Sequence, residues 1–198
     1  MRRLAYPSRV AIALLLTTSL ALAGFLVTSV EGFSVASGLA AHLPGAKALV
    51  GKHVLLAIPT VLLSLFAQSM VIFYFIGTGK LIKDEVAAYP EPERAVILRA
   101  LRRFKARTSP LATFSLLSAI TVFVLGGAIH TGALPGWTHL AASVAAVVLH
   151  AWALLVQWRV FEENSSLMDD PRRYARGKLG SIVADKRQTR GRGDAATR

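Results

Sequence analysis

Four apolar runs free of charged residues decide what this chain can become. They cover residues 10–30, 54–77, 111–129 and 140–158, and none contains Asp, Glu, Lys or Arg. A helix needs roughly 20 such residues to cross about 30 Å of hydrocarbon. Inside lipid every backbone amide must find its partner within its own segment, and a barrel strand is about half this length. The expectation is an all-α membrane protein with four transmembrane helices in an antiparallel bundle, spanning about 10–30, 53–77, 110–130 and 139–160. Residues 1–170 then form one four-span domain and 171–198 a basic, disordered tail. A chain of 198 residues leaves no room for a separate soluble domain.

The net charge of +12 would suggest a nucleic-acid partner if it were spread evenly. It is not. Of the 23 Lys and Arg residues, 21 fall before the first span, in 78–109 or after the fourth span, and only Lys47 and Lys52 fall on the other side. This is the positive-inside bias. Both termini and loop 78–109 are expected in the cytoplasm, and 31–53 and 131–138 outside. No nucleic acid is expected. Membrane lipids and other membrane subunits are the expected partners. The frequent Ala and the excess of Arg over Lys fit a GC-rich bacterial genome, and the expected location is a bacterial inner membrane. Cysteine is absent, which excludes disulfides and thiolate chemistry.

Arg2, Arg3 and Arg9 ahead of an apolar run, followed by Ala21-Leu22-Ala23, also have a signal-peptide layout. The run continues through Gly24-Phe25-Leu26-Val27, so a retained first span is expected. In the 78–109 loop, Tyr89-Pro90-Glu91-Pro92-Glu93 reads as a helix start, with carboxylates at the positive end of the dipole. Residues 94–107 then form a basic amphipathic helix, expected to lay Ile97, Leu101 and Phe104 on the inner leaflet. Pro110 is expected to open the third span. Leu134-Pro135-Gly136 makes a tight turn, so spans three and four form a hairpin.

Each span carries small or polar residues at steps of four and three, which keeps them on one face. The stripes are Thr17, Ala21, Gly24, Thr28, Glu31; His53, Ala57, Thr60, Ser64, Ala67 or Gln68, Val71; Ala112, Ser115, Ala119, Phe123, Gly126, His130; and His139, Ser143, Ala146, His150, Ala153, Gln157. Small and hydroxyl residues mark helix contacts in lipid because backbones approach closely there. The four stripes are expected to face one another.

Ionisable groups at membrane depth are costly and point to function. Glu31, His53, His130 and His139 all reach the outer end of these faces. His150 lies near mid-bilayer, level with Ser64 to Gln68, a buried polar group with Gln157 below it. Three readings follow. In the first, these groups only fix packing, and the chain is a non-catalytic subunit or stabilising component of a membrane complex. In the second, His53 with His139 or His130 holds one b-type haem, with Lys47 or Lys52 beside its propionates, and the chain transfers electrons. In the third, Glu31, His53, His130 and His139 bind zinc or copper at the outer face. No carboxylate lies in a span to orient a histidine, and no nucleophile-elbow sequence occurs, so a hydrolase is not indicated.

Overall fold

A computed structural model describes residues 5–42 and 44–196. The elements are α1 (Ala5–Ala40), α2 (Ala46–Glu85), a single 3-10 turn (Val86–Ala88), α3 (Glu93–His130), α4 (Gly136–Asp169) and α5 (Pro171–Ala196), with no strand among the described residues. The first four α-helices are long and apolar enough to cross a membrane. At 1.5 Å per residue the 40 residues of α2 run for about 60 Å, roughly twice the hydrocarbon thickness.

The four spans form a ring: α1 packs on α2, α2 on α3, α3 on α4, and α4 closes on α1. Helices α2 and α4 therefore face each other across a diagonal. The interior at bilayer depth is narrow because the facing residues are small: Ala67, Ala112, Ala119, Ala146 and Ala153 are all fully buried. The outward faces stay apolar and exposed, with Leu16, Leu55, Phe66, Phe114, Val148 and Trp152 among the largest groups. In water this pattern would aggregate; in lipid it is the solvated surface. At Gly24, an added Cβ would stand 2.8 Å from Thr60 Oγ1, so this contact between α1 and α2 requires glycine.

The basic end differs from the sequence expectation in two places. Residues 94–107 do not form a separate helix on the leaflet. They are the first third of α3, which continues through Pro110 to His130. The reason lies in register. Val96, Ile97, Ala100, Leu101, Phe104 and Thr108 continue at helical steps into Ala112, Ser115, Ala119 and Val122, so one buried face runs the whole helix. Protein rather than lipid covers its apolar part: Ile97 and Phe104 pack with Ile82, Val86, Phe161, Leu167 and Ala175.

The second difference is the tail. Pro171 ends α4 and opens α5, where its missing N–H costs nothing. Asp170 supplies the cap, its Oδ1 accepting from the Arg173 N–H at 2.9 Å. Pro171 and Ala175 are buried, the Arg172 guanidinium lies 4.8 Å from the Tyr89 ring centroid, and Arg176 reaches Glu93 at 3.4 Å. The segment read as a disordered tail is thus helical over its described length, held at its start by α3.

Candidate functional site

Polar side chains cross the α2–α4 diagonal in successive rungs. Ser64 Oγ lies 2.8 Å from His150 Nε2. Gln157 Nε2 donates to Gln68 Oε1 at 2.8 Å. Asn164 Nδ2 donates to the Tyr74 hydroxyl at 3.1 Å. The partners are 86, 89 and 90 positions apart. A nearly constant offset means that the two helices run parallel, as alternate members of an up-down-up-down bundle must. His53 and His139 share the first offset and form the rung at the end of the bundle opposite the basic cluster. From His53 to Tyr74 the rungs span about 32 Å, the thickness of the hydrocarbon.

The Ser64–His150 rung is internally satisfied, whereas Gln157 Oε1 and Asn164 Oδ1 in the next two rungs are buried without a partner. A backbone carbonyl can only accept, so His150 Nδ1–H donates to the Ala146 carbonyl at 2.8 Å and Nε2 accepts the Ser64 hydroxyl proton. Phe25 of α1 covers the ring at 4.6 Å between centroids. Ser64 is 0% and His150 2% exposed. A Ser–His pair sealed this way offers no approach to a substrate, and a carbonyl rather than a carboxylate stands behind the imidazole.

The His53–His139 rung is built differently. The ring centroids are 6.3 Å apart and the planes nearly perpendicular, at 87°. Nδ1 of both rings is buried with no hydrogen-bond partner. Each ring tip rests on a glycine of the preceding helix. A Cβ on Gly32 would stand 3.1 Å from His53 Cε1, and one on Gly126 3.2 Å from His139 Cε1. All four spans therefore contribute to seating two imidazoles, each with one ring nitrogen left without a partner.

The other sequence candidates have different surroundings. Glu31 reaches Lys52 at 3.5 Å, and its second oxygen is buried and unpartnered. His130 is exposed at the last residue of α3. The buried face of α3 passes through Val122 rather than Phe123, and eight further residues at 100° each carry His130 about 80° off that face. Among the described residues no group of three or more His, Asp or Glu is assembled to hold a metal ion. The zinc or copper reading required such a convergence. The Lys47 side chain lies outside the described residues.

Sequence reasoning missed the Tyr74–Asn164 rung and both glycine seats. The rung was within reach, since Asn164 continues the step pattern of α4 beyond Gln157, but it lies past the expected end of the span. A further group at the basic end was also missed. The Tyr174 hydroxyl and one Glu163 oxygen are buried and unpartnered. Burial first, and the nearby Glu163 carboxylate second, push the Tyr174 phenol above its ordinary value, against the lowering influence of Arg103.

No protein family, curated protein or solved structure matches this chain. The site itself is the basis for a functional reading.

Proposed function

We propose that this chain is a membrane electron-transfer protein and that His53 and His139 are the residues that would hold one b-type haem. The observation that supports it is the pairing of these two rings across the diagonal with both Nδ1 atoms unpartnered. Two imidazoles that would hold one iron between them need to lie at one depth with their ring centroids roughly 6 Å apart. The observed 6.3 Å fits that arrangement. Such cofactors sit in bundle cores between facing helices. The haem would supply one-electron chemistry. The chain's part is to present both imidazoles at one depth, with Gly32 and Gly126 leaving room for their rings. Lys52 stands at the rim, where it can exchange Glu31 for a propionate.

The charge distribution supports an orientation with the α2–α3 connection and α5 in the cytoplasm and the histidine pair near the outer face of a bacterial inner membrane.

The inter-helix hydrogen bonds of the other rungs favour a second reading, a non-catalytic subunit or stabilising component of a larger membrane complex. In that reading the histidine pair is one more packing contact. A reduced-minus-oxidised visible spectrum of the detergent-purified protein separates the two. About one haem per chain with a sharp b-type α-band supports electron transfer. A flat spectrum from folded protein made with ample haem removes it and leaves the subunit reading.

A further inference from the structure

At the basic end, the close of α2, the 3-10 turn and the first three turns of α3 enclose a groove of about 660 Å³. Four cations line it, Lys83, Arg94, Arg99 and Arg102. The single carboxylate among the lining residues, Glu91, is engaged by Arg94 at 3.0 Å. The floor is apolar, with Val86 fully buried beneath it and Leu98 half-buried at its side. Several cations around one concavity repel each other. Glu91 offsets only one of these charges, so the groove attracts a further anion, and an Arg fork matches phosphate oxygens in two-point contact.

Depth identifies the source of that anion. The exposed apolar side chains Phe73 and Ile76 lie on the outer face of α2, and Ile76 shares the helical face of Lys83. Lys83 lies six residues past the end of the apolar run, about 9 Å at helical rise, which is headgroup level. An acyl chain resting on these residues would bring its headgroup to the groove. Because α3 continues straight out of the bundle, Arg94, Arg99 and Arg102 approach Lys83 from the facing helix.

We infer that this groove is a binding site for the phosphate-bearing headgroup of an anionic phospholipid. It is independent of any haem at the opposite end. Native mass spectrometry of the full chain in mild detergent, titrated with phosphatidylglycerol or phosphatidylcholine, tests it. Phosphatidylglycerol is expected to remain bound where phosphatidylcholine is lost. The Arg99→Gln/Arg102→Gln variant is expected to weaken that retention roughly tenfold or more. Both positions are exposed, so the fold is not at stake. Lys105→Gln/Arg107→Gln, with the same charge removed outside the groove, is expected to retain the lipid. Lys83→Gln, on the other wall, provides an independent loss. Equal retention of the two lipids, or equal loss in the groove and control variants, would overturn the inference in favour of a diffuse surface potential. Inorganic phosphate that displaces the lipid at low millimolar concentration would overturn the lipid assignment in favour of a soluble phosphate.

Discussion

The His53–His139 and Ser64–His150 rungs share one offset along the same two helices, yet the protein treats them in opposite ways. His150 has both ring nitrogens engaged and an aromatic ring over its face. His53 and His139 have glycines at their tips and an unpartnered nitrogen each. A buried histidine is therefore not informative by itself. What its nitrogens do is one difference between the two rungs, but the buried unpartnered amide oxygens of Gln157 and Asn164 show that packing positions carry such atoms as well.

The sharpest way to break this contrast is to remove one histidine from each rung. His53→Leu or His139→Leu is expected to abolish the haem spectrum while the protein remains folded in detergent. His150→Leu is expected to keep the pigment and lower the melting temperature. A pigment that survives both outer substitutions would put the two rungs in one class. Gly126→Val comes next. Its Cβ already meets His139 Cε1 at 3.2 Å, so the added methyls must displace the ring, at roughly 1–3 kcal/mol of overpacking. The expected readout is reduced haem occupancy with little change in helicity by circular dichroism.

The middle rungs can be sharpened with a double-mutant cycle. Gln68→Leu strands the Gln157 amide and is expected to destabilise the bundle by about 1 kcal/mol, and Gln68→Leu/Gln157→Leu to recover most of it. A cycle without coupling would mean that the 2.8 Å contact fixes nothing. The smallest effect concerns the basic end. The Tyr174 phenol titrates higher in the folded chain than the ordinary value of 10.0, so the folded state holds its proton more tightly. Its contribution is fully present below that value and is lost as pH rises through the folded one. Tyr174→Phe is expected to remove only the fall in stability above pH 10.0, as measured by thermal melts at alkaline pH.

The spans were legible because charge-free runs of such length have one solution in lipid. The stripes on α2 and α4 were legible to within a residue, because four-and-three steps hold Ser64, Gln68, His150 and Gln157 on one line. Neighbour order was not legible, since each stripe faces the axis whichever helix stands beside it. Pro110 misled, because proline opens helices more often than it interrupts them, and only the register from Phe104 to Ala112 reveals the continuity. His130 was placed on a stripe drawn through Phe123, whereas the buried face passes through Val122. The helical tail was hidden because its composition is that of a solvated segment, while the few residues that dock it are the Asp170 cap, the buried Pro171 and Ala175, and two arginine contacts.

The offset of nearly ninety residues also sets an order of events at the ribosome. Gln68 enters the membrane with α2, but its partner on α4 is made 89 residues later. At 5–20 residues per second that interval is on the order of ten seconds. For that time the first hairpin holds an amide in lipid with nothing to bind, as well as the Tyr74 hydroxyl. The arrival of the last span closes the rungs together, so the newborn protein is most exposed to mispairing just before its final helix is in place.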